Sequence, residues 1–248
     1  MDGGAARRIA ELCILNEGDL VVEVGPGTGT LTKALIEARA RVLAVEIDSD
    51  LVAVLRGRTD LREASIVQAD ALAFDFQTAA NGAPWCAGGN LPYNIATPLI
   101  LRWIESPSPP QRIVATVQRE VADRLLAAPG TPAYGSLTVA VRFMMRARRA
   151  FALGPQAFHP RPKIDSTVVV MDRREQPAVA VRDRAFFLKV VRAAFAYRRK
   201  TLANSLTLAL GIERARTQLI LSRLGYDSEI RGEKLDLDAF GALADALA

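Results

Sequence analysis

The residues best suited to chemistry sit in "GGNLPYNIATP", from Gly88 to Pro98. An exocyclic amine on a nucleobase is a poor nucleophile, because its lone pair is delocalised into the ring. An amide oxygen at Asn90 and the backbone carbonyl of Leu91 can accept that amine's two hydrogens and draw the nitrogen toward a tetrahedral form. Pro92 donates no hydrogen bond and restricts the residue before it, so the Leu91 carbonyl is held stiffly. Tyr93 offers a ring face on which a base can stack. A strand-ending proline turn with a packed tyrosine is the plainer reading of the same letters, and the residues upstream weigh against it.

Upstream lies "EVGPGTGTLT". Glycines at Gly25, Gly27 and Gly29 let the backbone turn sharply and approach a ligand without side-chain obstruction. Their spacing is G-x-G-x-G rather than the dinucleotide fingerprint G-x-G-x-x-G, which counts against a nicotinamide enzyme. Glu46 closes the next strand, where a carboxylate can accept both hydroxyls of a ribose. Asp70 closes the one after, where it can take a hydrogen bond from an adenine amino group while the Ala71 N–H serves a ring nitrogen. Glu23, just before the turn, can help hold an ammonium group. Each carboxylate alone is more often a helix cap. Their order along the chain, with no Lys or Arg directly after the loop to neutralise a pyrophosphate, points to an adenosine ligand without phosphate. S-adenosylmethionine fits.

These residues need a frame, and the apolar pattern supplies one. "LVVEVG", "RVLAVEI", "SIVQAD", "PWCAGGN" and "QRIVATVQ" read as strands. Amphipathic helices over about 28–38, 49–58, 96–104 and 120–127 alternate with them. Such alternation predicts an α/β fold with crossover units and a largely parallel sheet covered on both faces. Leu137–Met145 and Ser166–Asp172 read as the later, edge strands. Past about Pro177 every segment has helical period, with Gly211, Gly225 and Gly232 as breaks. Residues 1–176 are therefore expected to form the ligand-binding domain and 177–248 a small helical domain.

Composition bounds the partners. Of the 248 residues half are hydrophobic, and there is a single histidine, His159. That excludes a histidine-rich metal centre, and no metal is expected. Cys13 and Cys86 match no metal or redox spacing and read as buried, reduced thiols of a cytoplasmic protein. No apolar run is long enough to span a membrane, so no membrane partner is expected. The net charge of +5 is uneven: Arg142–Lys200 holds 15 Arg and Lys against 4 Asp and Glu. A field of that sign suits a polyanion such as nucleic acid, with a solvated basic face as the alternative.

Taken together, "EVGPGTGTLT", "AVEID", "VQADAL", "GGNLPYNIATPLI", "VQREVADRL", "AYGSLTV", "AFHPRPKIDSTVV", "FAYRRKTLANSL" and "RGEKL" resemble the ribosomal RNA adenine dimethyltransferases, in family order from Val21 to Leu235. The "PKIDS" and "YRRKTLANSL" segments are similar to the branch that acts on the small subunit. The resemblance implies an α/β, Rossmann-like methyltransferase sheet, mostly parallel, of seven strands with an antiparallel edge, and it implies that Gly25, Glu46, Asp70 and Asn90 contact S-adenosylmethionine. It implies that Asn90, Leu91 and Tyr93 hold the target adenine, with Phe158 closing on its other face. Arg198, Arg199 and Lys200, which read as opening a helix, are the candidates for contacts to RNA phosphates. The implied partner is small-subunit rRNA within a ribosomal subunit precursor, and the plain expectation is a monomer. An RNA-binding assembly factor without catalysis, and an adenine methyltransferase of large-subunit rRNA or DNA, stay open as alternatives.

The chain departs from the family at its start. Family members carry a Gln-Asn/His-Phe-Leu type of segment ahead of the first helix, and "MDGGAARRIAELCIL" resembles only the helix that follows it. The expectation is a recognisable pocket open on one side, with weaker cofactor binding and poor turnover.

Overall fold

Short β-branched runs between glycine turns build the sheet, and the helices between them cover it. The computed structural model describes residues 1–248. In chain order the elements are α1 (Gly3–Cys13), β1 (Leu20–Val24), α2 (Thr30–Glu37), β2 (Arg41–Glu46), α3 (Ser49–Gly57), β3 (Ser65–Gln68), α4 (Phe76–Ala80), β4 (Trp85–Asn90), α5 (Ala96–Glu105) and β5 (Arg112–Gln118). Then come α6 (Arg119–Leu126), α7 (Ser136–Met144), β6 (Met145–Leu153), β7 (Ser166–Arg173), α8 (Arg184–Ala194), α9 (Leu202–Leu210), α10 (Arg214–Arg223) and α11 (Leu237–Leu247). Contacts divide the chain into one unit of Met1–Ala122 with Arg146–Arg173, and a second of Asp123–Met145 with Arg174–Ala248.

The first unit holds a seven-stranded sheet in the order β3-β2-β1-β4-β5-β7-β6. The β1–β2, β2–β3, β1–β4 and β4–β5 pairs are parallel, and β7 runs antiparallel to β5. Strand order reverses between β1 and β4. Open α/β sheets bind ligands at such a switch point, beyond the carboxyl ends of the strands. Here those ends are Val24, which leads into the glycine loop, and Asn90 of the proline elbow. One face of the sheet is covered by α1 and α2, where Ile9, Leu31 and Leu35 meet Val21, Val42, Val114 and Val168 in one buried cluster. Elsewhere in this unit Phe76 of α4 lies 5.7 Å from both Trp85 of β4 and Trp103 of α5, ring centre to ring centre. Gly88 makes room for the α1 layer: a Cβ there would lie 2.9 Å from the Cys13 Sγ.

The second unit is helical. Tyr134 is buried, its hydroxyl donates to the Leu235 carbonyl at 2.9 Å, and Gly130 N donates to Glu233 O at 2.8 Å. The Tyr134 bond ties the "AYGSL" segment to "GEKL" across a hundred residues of chain, and the Gly130 bond joins the turn just before it to the same segment. Phe143 of α7 and Phe187 of α8 stack with centroids 4.4 Å apart.

Two expectations are corrected. Leu137–Met145 is not a strand: α7 occupies Ser136–Met144, with Leu137 through Val141, Phe143 and Met144 all buried. A run apolar on every side suits a wholly buried helix as well as a strand, and packing against α8 and α11 decides it. The edge strand is instead β6, whose "MRARRAFAL" carries three arginines and gives no apolar period. The helical unit also begins earlier than residue 177, at Arg174, and takes in Asp123–Met145, because α7 supplies part of its core.

Candidate functional site

β1 ends in a loop that folds back on itself. Gly25, Gly27 and Gly29 all have φ between +57° and +85°, a region open to glycine at little cost. Gly25 N donates to Val45 O and Gly29 N to Pro26 O, at 3.0 and 2.9 Å. Glu46, at the end of β2, is buried and closes the loop from the side. Its Oε2 accepts from Gly27 N at 3.3 Å, and its Oε1 accepts from Ile47 N and Asp48 N at 2.9 and 3.2 Å. Gly29 also packs tightly, since a Cβ there would sit 2.5 Å from Leu61 Cδ1 and 2.9 Å from Leu55 Cδ2. At Gly27 a Cβ would meet nothing within 4 Å, so this part of the loop faces open space.

A brace holds the loop from outside. Arg58 Nη1 donates to the Thr28 carbonyl at 2.5 Å. Its other nitrogens grip Asp60 at 3.0 and 2.7 Å, and Arg58 draws the Asp60 carboxyl down to about 2. Arg58→Ala is expected to raise the dissociation constant of S-adenosylmethionine about tenfold, as a charge-assisted bond to the loop is lost. Arg58→Lys should recover only part of it, because a lysine cannot serve Thr28 and Asp60 in a fixed fork. Calorimetric titration checks both.

β3 ends in a second turn. Asp70 Oδ1 accepts from Leu72 N at 2.8 Å, so Asp70 does act as a cap. Arg102 of α5 donates to the Ala71 carbonyl at 2.8 Å while lying over the Phe76 ring. The turn is thus pinned to the aromatic cluster, and the Ala71 amide has no backbone acceptor.

The elbow stands beside the glycine loop. A Cβ on Gly25 would be 3.5 Å from Pro92 Cδ and 3.8 Å from the Asn90 carbonyl. Leu91 N donates to Thr116 O at 3.2 Å, and the Pro92 carbonyl accepts from both Ile95 N and Ala96 N at the start of α5. Tyr93 is 37% exposed, and its hydroxyl pairs with Ser166 Oγ at 3.3 Å. The Asn90 Oδ1 atom is buried and without a hydrogen-bond partner. Such orphans are rare in folded proteins and carry a desolvation cost. Thr116, the register partner of Asn90 on β5, has a buried unpartnered hydroxyl as well.

Glu23, on β1 two residues before Gly25, is 1% exposed. Burial pushes its carboxyl up to about 7, against a pull downward from the Thr32 hydroxyl that donates at 2.6 Å, and the Glu46 charge pushes it up further.

The structure therefore brings Glu23, the three loop glycines, Glu46, Asp70, Ala71 and the Asn90–Tyr93 elbow to the carboxyl ends of neighbouring strands. Phe158 is a correction. Its ring is 8% exposed and buried in the cluster with Ile9, Leu153 and Val168. It does not stand open as a clamp; burying a phenylalanine gains roughly 2–3 kcal/mol, and α1 supplies the apolar surface. Arg198, Arg199 and Lys200 do not open a helix but lie exposed in the turn between α8 and α9, just before the N-cap Thr201. Two residues escaped the sequence reading. Ile47 is an isoleucine left 65% exposed directly after Glu46. Thr116 looks like any strand threonine until its strand pairs with Asn90.

A parallel sheet with a glycine loop at the switch point, an acid ending the second strand and a carbonyl-presenting elbow define an S-adenosylmethionine-dependent, Rossmann-like methyltransferase. Comparison with known proteins narrows this. Residues 2–239 match the family of the ribosomal RNA adenine dimethylases, and the chain belongs to that family. It is 41% identical to the ribosomal RNA small subunit methyltransferase A of Streptococcus equi subsp. zooepidemicus, over 99% of this chain and 88% of that protein. The protein of the same name from Streptococcus gordonii is 42% identical over the same shares. Among solved structures, the 23S rRNA methyltransferase ErmE superposes with a TM-score of 0.71 at 25% identity, over 100% of this chain and 98% of that one. A dimethyladenosine transferase from Plasmodium falciparum shares the fold, with a TM-score of 0.76 at 23% identity over 97% and 94%. The chain is an rRNA adenine dimethylase that uses S-adenosylmethionine.

Proposed function

We propose that the chain places two methyl groups on the N6 amine of each of two adjacent adenosines near the 3′ end of small-subunit rRNA, within a ribosomal subunit precursor. The observation that carries the site assignment is the buried, unpartnered Asn90 Oδ1 beside the glycine loop. Identity to proteins named for the small subunit supports the choice of rRNA.

The site residues fit the methyl donor. Glu46 holds its ribose, Asp70 and the Ala71 N–H its adenine, Ile47 covers the ring, and Glu23 faces its cationic end across the loop of Gly25, Gly27 and Gly29. S-adenosylmethionine supplies a methyl group already activated on a sulfonium. The chain's own part is positioning and electrostatics. Asn90 Oδ1 and the Leu91 carbonyl accept the two N6 hydrogens and turn the lone pair toward the methyl group. Pro92 keeps the carbonyl fixed, and the target base stacks on the open face of Tyr93. After one transfer the nitrogen keeps one hydrogen, and rotation in the same pocket presents it again. Arg198, Arg199 and Lys200 contact RNA phosphates. The protein works as a monomer in the cytoplasm.

Unmethylated small subunits incubated with methyl-labelled cofactor test this. Label in small-subunit rRNA, at two methyls per adenosine, is the expected result. RNA binding without label would leave an assembly factor, and label only in other nucleic acid would move the target elsewhere.

A further inference from the structure

Four exposed cations of the first unit lie together on the last strand of its sheet and the loop that follows it. No Asp or Glu occurs between Asp123 and Asp165. In this unit the acid-free stretch is β6, the last strand of the sheet, and the loop leading from it to β7. Arg146 and Arg148 on β6, and Arg161 and Lys163 in the loop, are exposed, and their side chains make no hydrogen bond or ion pair. Elsewhere in the unit Arg39 pairs with Glu17, Arg56 with the Ile66 carbonyl and Lys33 with Glu37 and Asp60, whereas Arg7, Arg41, Arg62 and Arg119 are exposed without such a partner. The loop with Arg161 and Lys163 ends at Ser166, whose hydroxyl meets that of Tyr93 at 3.3 Å. One residue earlier, the Asp165 carbonyl accepts from Arg119 N at 3.1 Å, beyond the end of β5. The segment that carries the four cations is thus fastened to the elbow.

We propose that β6 and the loop after it form a track for the phosphates of the RNA strand flanking the target adenosine, leading from the sheet edge to the Asn90–Tyr93 elbow. The proposal rests on reading that elbow as the adenine site. Residues two apart on a strand face the same way, about 6.6 Å apart, so Arg146 and Arg148 present two guanidinium forks side by side. Such forks match phosphate oxygens in pairs. Charges on an edge strand also discourage pairing with another sheet. That role needs no cations in the loop beyond the strand, where Arg161 and Lys163 continue the series.

The test compares wild type with the Arg146→Gln/Arg148→Gln/Arg161→Gln protein, using a 5′-labelled single-stranded RNA oligonucleotide that contains adjacent adenosines. Its dissociation constant in low salt should rise about 30-fold. The slope of log K against log salt should become shallower by about 2, for three lost phosphate contacts. The corresponding Arg→Lys triple variant should keep most of the affinity, which separates lost charge from lost fold. S-adenosylmethionine should bind the Gln variant as it binds wild type. Unchanged RNA affinity and slope would overturn the proposal. So would a variant that self-associates in sedimentation while still binding RNA normally, since the arginines would then only guard the edge. A failure of the elbow reading looks different: Tyr93→Ala would methylate normally, whereas the track is read from oligonucleotide binding and needs no methyl transfer.

Discussion

Asn90→Ala is expected to lower the rate of methyl transfer by about 10²–10³-fold while leaving the protein as stable as before, or more stable. Both halves follow from one atom. Asn90 Oδ1 is buried and unpartnered in the free protein, so it costs stability there, on the order of 1–3 kcal/mol. Deleting it relieves that cost. In the proposed mechanism the same oxygen accepts a hydrogen from the target amine once substrate binds, and that acceptance strengthens as positive charge grows on nitrogen. Losing one preorganised group of this kind commonly costs about 10²–10³ in kcat. Single-turnover transfer to small-subunit rRNA and thermal melting, run on the same preparation, check the pair. A rate within a few-fold of wild type would remove Asn90 from the mechanism. A melting temperature well below wild type would mean that the side chain is structural and that its oxygen does find a partner.

How much of this site could be read from letters alone depended on the kind of constraint. The glycine loop, Glu46, Asp70 and the elbow were legible because each is local: a backbone conformation or a strand end fixes the residue type at that position. Even their adjacency followed, since a parallel sheet gathers its carboxyl ends on one side. The structure then showed what neighbours do to them, with Glu46 closing the loop through the Gly27 amide and Arg58 bracing it across thirty residues of chain. Partners so distant leave no spacing to find. Leu137–Met145 misled because β-branched residues in a fully buried helix look like a strand. Phe158 misled for a similar reason: an aromatic on a proline-rich loop serves as clamp or as core, and only the packing of α1 distinguishes them. β6 was invisible because its arginines break the apolar period.

Glu23→Gln is expected to stabilise the free protein at pH 8 by about 3 kcal/mol, and to weaken S-adenosylmethionine binding. In the folded chain burial holds the Glu23 carboxyl at about 7, far above its ordinary 4.5. A carboxyl whose folded pKa is raised binds its proton more tightly when folded. Stability is therefore highest at low pH, falls as pH rises between about 4.5 and 7, and is lower above that by about 3 kcal/mol. Glutamine keeps an oxygen for the Thr32 hydroxyl and cannot ionise, so the variant's advantage should vanish near pH 4.5 and be complete by pH 8. Denaturant melts across that range measure it, and a pH-independent difference would contradict it. Binding runs the other way. A cationic ligand favours the ionised carboxylate, so wild-type affinity should rise roughly tenfold from pH 6 to pH 8, with a proton released on binding below pH 7. The release shows in calorimetry as a binding heat that changes with the buffer's ionisation enthalpy. Glu23→Gln should lose both the pH dependence and the proton. If it binds the ligand as wild type does at every pH, Glu23 does not face the cation. In that case the buried acid would be a cost to the fold with no return in binding. If both predictions hold, the instability of the free site is the source of its affinity: a charge that the fold alone holds poorly is stabilised when the positively charged ligand arrives.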